Sequence, residues 1–153
     1  MKFLQSGEGS QSQWFNLILN AQSQTGYELG HDLKKYLMLT LEHYTTELTL
    51  PSSIIAVKYM EALSLTGTKQ SLELRDIGDQ CLLISGLFPE RLLKKNISLD
   101  YTIAIGKQSY SQLASHKNNH PWDANLFLDL HQHFMGLVDI LHFMRTSTNF
   151  NPP

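Results

Sequence analysis

Cysteine is almost missing from this chain of 153 residues. The single thiol, Cys81, excludes an intrachain disulfide, and nothing demands an oxidising compartment. Charge is scarce too, at 17% of residues against about 25% in an average globular domain. The net charge of −2 gives no electrostatic drive towards DNA, RNA or an anionic membrane. The basic pairs Lys34-Lys35 and Lys94-Lys95 are too sparse for a nucleic-acid footprint, and no zinc-finger spacing occurs. No run approaches the roughly 18 apolar residues of a membrane span. After Lys2 only Phe3 and Leu4 are apolar before Gln5, Ser6, Gly7 and Glu8, which is not a signal-peptide pattern. Gly7-Glu8-Gly9 lacks the preceding strand of a nucleotide-binding loop. The expected partners therefore include neither nucleic acid nor membrane, and the expected location is cytoplasmic.

Apolar periodicity is abundant. Hydrophobic residues make up 42% of the chain. A domain of this length buries a real core, removing about 70% of its unfolded surface from water. From Trp122 to about Thr146 the pattern predicts one helix with two apolar stripes. Leu126, Leu130, Leu137, Ile140 and Met144 form the first; Phe127, Phe134, Val138 and Leu141 widen it. Such a helix must be surrounded, by its own bundle or by a second subunit.

Further segments share the helical period. Trp14 to Gln22 reads as a short docking helix, ended near Thr25-Gly26. Tyr27 to Glu47 carries Leu29, Leu33, Leu37, Leu41 and Tyr44 at spacings of three and four, and stops at Leu50-Pro51. Ser52 or Ser53 offers an N-cap for a helix to about Leu65. Lys69 to Phe88 follows, with Ser85-Gly86 and Phe88-Pro89 marking its end or a kink, and Glu90 to Lys95 suggests one extra turn. Ser98 is an N-cap for the helix holding Ile103, Gly106, Tyr110 and Leu113, with Asp100 in its first turn. The sequence thus predicts an all-α, single-domain bundle of five to six helices with a central, strongly apolar C-terminal helix. Residues 1–13 are expected to form a flexible arm, 14–146 the helical domain and 147–153 a disordered tail.

Gly78 and Gly106 sit inside helices at core-facing positions, each at a cost of about 0.5–1 kcal/mol against alanine. The favoured return is a close helix crossing; the alternative is a small-molecule cavity. Around the first of them, Leu74-Arg75-Asp76-Ile77-Gly78-Asp79-Gln80-Cys81-Leu82 and Ser85-Gly86-Leu87-Phe88-Pro89-Glu90 resemble the central signature of a family of uncharacterised bacterial proteins. Asp100-Tyr101 with Gly106 and Tyr110 is similar to its following segment. The resemblance covers Leu72 to Leu113. It implies a bacterial, cytosolic, stand-alone protein, with no activity and no site residues.

Candidate chemistry is thin. His131 and His133 look like a metal pair, but residues two apart on a helix point about 200° apart. His131 and His142 share a side yet stand about 16 Å apart along the axis. His43 and Glu47, at i and i+4, could supply two ligands to zinc or iron, with His31 or the last helix as donors of the rest. Asp76 and Asp79 form the densest charge cluster with Glu73 and Arg75. Their alternatives are acid–base work in a pocket and a structural pairing of Arg75 with Asp79. Cys81 has no neighbour placed to activate it. No cofactor is predicted.

Two classes of function remain open. One is a non-enzymatic interaction or regulatory module, a homo-oligomer (a dimer) or the companion of a protein partner, with Phe127 and Val138 as interface residues if they face outwards. The absence of a convergent catalytic set favours it. The other is a small α-helical metal- or cofactor-dependent enzyme or ligand-binding protein.

Overall fold

The computed structural model describes residues 10–44, 55–116 and 121–147. Among them are eight helices: α1 Ser10–Thr25, α2 His31–His43, α3 Ile55–Leu63, α4 Gly67–Leu87, α5 Pro89–Lys94, α6 Leu99–Ala114, α7 Pro121–Gln132 and α8 Phe134–Ser147. No strand occurs among the described residues. The expected five to six helices become eight for two reasons. Pro89, with its fixed φ at the first position, starts the separate short helix α5. The long C-terminal helix is broken at His133. Boundaries move as well. The first helix begins at Ser10, four residues into the expected arm. The second begins at His31 rather than Tyr27, because Gly26 takes a φ of +74° and the chain runs extended through Gly30. Ser52, Ser53 and Glu47 lie outside the described residues, as does most of the expected arm and tail. Ser98 caps α6, its hydroxyl accepting from the Tyr101 amide at 3.2 Å.

The centre of the molecule is α4, not the C-terminal segment. Every residue from Ile77 to Phe88 is buried, Asp79, Gln80 and Ser85 included. Helices α3, α6 and α8 pack around α4, while α7 lies on α6 and α8 lies on α1. The C-terminal segment keeps an outer face, with Leu128 and Met135 exposed. Both of its apolar stripes still find cover inside the single chain, Leu126 only in part, with α7 resting on α6 and α8 on α4 and α1. Phe127 is 7% exposed and Val138 9% exposed. The surface these two were expected to offer a second subunit is therefore already occupied.

Tyr27 sits at the break. Its hydroxyl meets His133 Nδ1 at 2.6 Å. Its ring covers Gly136, where a Cβ would stand 2.0 Å from Tyr27 Cζ. Three other glycines admit close neighbours. A Cβ on Gly78 would lie 2.8 Å from Tyr110, and one on Gly106 would lie 2.6 Å from Phe134 and 2.9 Å from Cys81 Cβ. At Gly86 it would lie 2.5 Å from Leu141 Cβ, which marks a close approach of α4 to α8. The far end of α8 is fastened by Arg145, which donates to the Leu87 carbonyl at 2.9 Å and pairs with Glu90 at 2.5 Å. That bond satisfies a carbonyl left open at the end of α4.

Candidate functional site

The polar groups of α4 are gathered on the side that meets α2 and α6. Arg75, Asp76, Asp79 and Gln80 follow the spacing of one helix face. Tyr36 of α2 and Tyr110 of α6 both donate to Asp79 Oδ1, each at 2.7 Å. Asp79 Oδ2 stands 3.9 Å from Arg75 Nε. Arg75 Nε donates in turn to the Tyr36 hydroxyl at 3.1 Å, with the guanidinium carbon 5.2 Å from the centre of that ring. Asp76, one residue along, accepts from Tyr44 and from Gln80 Nε2, the latter at 3.1 Å to each carboxylate oxygen.

Burial sets the electrostatics. It pushes the Asp79 carboxyl up to about 6, against the opposing pull of the two tyrosine hydroxyls and Arg75. Tyr36 and Tyr110 are held well above their ordinary range, first by burial and then by the charge of Asp79. Tyr44 is raised by burial and by its bond to Asp76. These hydroxyls are therefore hydrogen-bond donors at neutral pH, not bases. Asp79 lies beneath Tyr36 and Tyr110, only 6% exposed. The cluster has the properties of a rigid floor.

Above that floor opens a cleft of about 450 Å³ between α2, α4, the end of α6 and α7. Leu39, Leu72, Leu113, Leu126 and Phe127 make its walls. Phe127 stands edge-on to Tyr36 and stacks parallel to Tyr110, so floor and wall are continuous. Arg75 reaches into the cleft from below, its side chain 52% exposed. His31, Asp32, Lys35 and Asp123 are placed along it by the first turns of α2 and α7. Leu39, Leu72 and Arg75 also border a second depression, which holds His43, Tyr44, Asp76 and Asp79.

The structure thus places Asp76 and Asp79 side by side, each with its own hydrogen-bond partners, and separates the other candidates. His43 packs edge-on against Tyr44, with ring centres 4.6 Å apart, and Glu47 lies outside the described residues. His31 is twelve residues from His43 on the same helix, about 18 Å along its axis. His131 Nδ1 meets the Lys107 carbonyl at 2.9 Å, while His133 turns to Tyr27. Among the described residues no group of three or more His, Cys, Asp or Glu side chains could hold a metal ion. Cys81 is buried, its thiol pushed up to about 12 by burial and by Asp76.

Sequence reasoning missed Tyr36, Tyr110 and the cleft role of Arg75. One signal was available. A tyrosine on the buried face of a helix needs an acceptor for its hydroxyl, and a core-facing aspartate needs donors. No family model matches the chain, and neither a curated protein nor a solved structure is similar to it.

Proposed function

We propose that this chain is a binding protein for a small organic ligand with an apolar body, seated in the cleft between α2, α4 and α7. The observation that carries this reading is the apolar cleft over a fixed guanidinium. Its volume lies within the roughly 300–1,000 Å³ of small-molecule sites, and a few placed polar groups among apolar walls are their usual lining. Burial of Asp79 and of the Cys81 thiol, and the commitment of the Tyr36 and Tyr110 hydroxyls to Asp79, favour binding over catalysis. The resemblance of residues 72–113 and the single buried thiol suit a bacterial, cytoplasmic setting.

The test is titration with N-phenylnaphthylamine, a neutral dye that brightens in apolar surroundings. Saturable one-to-one binding is expected. Ser71, at the edge of the cleft and half-buried, offers a plug: Ser71→Trp should fold normally and weaken the dye by about 10-fold or more, the order of one lost apolar contact set. Unchanged dye affinity in that variant would place the dye elsewhere.

A second reading, a homodimer, is favoured by exposed apolar residues beside the α3–α4 junction. Val57, Met60 and Leu72 are 56%, 66% and 62% exposed, and α3 packs on α4. Leu72 lines a depression there with Ala62 and Leu65. Light scattering should then show mass rising with concentration, and Met60→Lys should hold the protein monomeric. A monomeric mass at every concentration would remove this reading.

A further inference from the structure

The ligand class follows from how Arg75 is held, and rests on the cleft being a binding site. The Nε edge of the guanidinium is committed to Tyr36 and, loosely, to Asp79. Tyr36 is in turn fixed by its bond to the buried Asp79. The planar group therefore cannot rotate freely, and its orientation is set before any ligand arrives. Among the described residues neither Nη group has a hydrogen-bond or ion-pair partner. A guanidinium offers parallel N–H donors that match the two oxygens of a carboxylate. Here such a pair is presented beside the apolar walls of the cleft, on a side chain that a ligand can reach.

We propose that the cleft binds an organic monocarboxylate, its head on the Nη groups of Arg75 and its apolar body against Leu39, Leu113, Leu126 and Phe127. His31, Asp32 and Lys35 of α2 and Asp123 of α7 line the rest of the cleft, a rim of both signs. Tyr36 is a positioning residue: it holds Nε and thereby aims the Nη pair.

A matched pair of probes tests this, phenylbutyrate against phenylbutanol, which share one body and differ in the head. Calorimetric titration of the intact protein should show the carboxylate binding about 10- to 100-fold more tightly, as expected for one charge-assisted bidentate contact. Arg75→Gln should abolish that preference, read as the ratio of the two affinities within the variant, since it removes the charged head contact. Tyr36→Phe should shrink the same ratio several-fold, which a loss of fold, lowering both affinities together, would not produce. Equal affinities in the parent protein would overturn the carboxylate assignment and leave the cleft as a site for neutral ligands. A preference that survives Arg75→Gln would overturn the role of Arg75. Failure of both probes to bind folded protein would overturn the binding reading itself.

Discussion

Asp79→Ala is expected to lower stability by about 4 kcal/mol, because two buried tyrosine hydroxyls lose their shared acceptor at about 1–3 kcal/mol each and a cavity is left. For a domain of this size that is a melting temperature lower by about 10 °C. Asp79→Asn should behave in the opposite way. Both tyrosines donate to the same oxygen, Oδ1, and an amide keeps that acceptor. Only the loose 3.9 Å contact to Arg75 is lost. The pH dependence separates the two effects. Burial raises the Asp79 carboxyl from 3.8 to about 6 in the fold. A carboxyl raised on folding binds its proton more readily in the native state. Its contribution to stability is fully present below about pH 4 and is lost as pH rises through about 6. The loss is of the order of 2–3 kcal/mol for a shift of two units. Thermal melts between pH 4 and 7 should therefore show the parent falling relative to Asp79→Asn, with the asparagine variant the more stable at pH 7. A parent that gains stability on that variant as pH rises would show that Arg75 holds the carboxylate ionised.

Gly86→Ala should be strongly destabilising. The added Cβ would stand 2.5 Å from Leu141 Cβ and 2.8 Å from Cδ1 of the same side chain. A Cβ moves only with its backbone, so α4 and α8 must separate along their crossing. Overpacking of this kind costs about 3 kcal/mol, even after alanine returns up to about 1 kcal/mol of helix propensity. Leu141→Ala should fail to rescue it, because alanine keeps the offending Cβ. Gly136→Ala makes a useful contrast. Its nearest clash is with the far end of Tyr27, a half-buried side chain that can swing out at the cost of its bond to His133, about 1 kcal/mol. Urea denaturation of the three variants would rank them. A Gly86→Ala protein as stable as the parent would mean that the crossing is looser than the structure shows.

These two sites also mark where the sequence was legible. Helical period, the Ser98 cap and the core-facing glycines were visible because each is a local signal. The dominance of α4 was not, because a helix buried on all sides loses the one-sided pattern by which helices are read. Asp79, Gln80 and Ser85 made it look half-solvated, while the two hydroxyls that meet Asp79 lie on other helices. The break at His133 carries no proline or glycine of its own; it coincides with Tyr27, more than a hundred residues earlier. The candidate site divided in the same way. Asp76 and Asp79 stood out as a charge cluster, but which hydroxyls they meet is a tertiary fact. Ser85-Gly86 and Phe88-Pro89 together mark a helix end or a kink in the sequence, and the helix runs through Gly86 to Leu87, one residue short of the expected Phe88.

The interruption between α7 and α8 has a bearing on how such a protein can change. Helix α7 supplies one wall of the cleft and rests mainly on α6, while α8 is locked against α4 at Gly86. A continuous helix would make the wall and the lock one lever, so that every shift in cleft width would be felt at the crossing. With the helix interrupted, a wider or narrower ligand works first against the packing of α7 on α6 and α2. Substitutions that retune ligand size can then accumulate at Asp123 and Leu126, which line the cleft outside the fully buried core, while Phe127 and Leu130 of the same helix stay fixed as part of it.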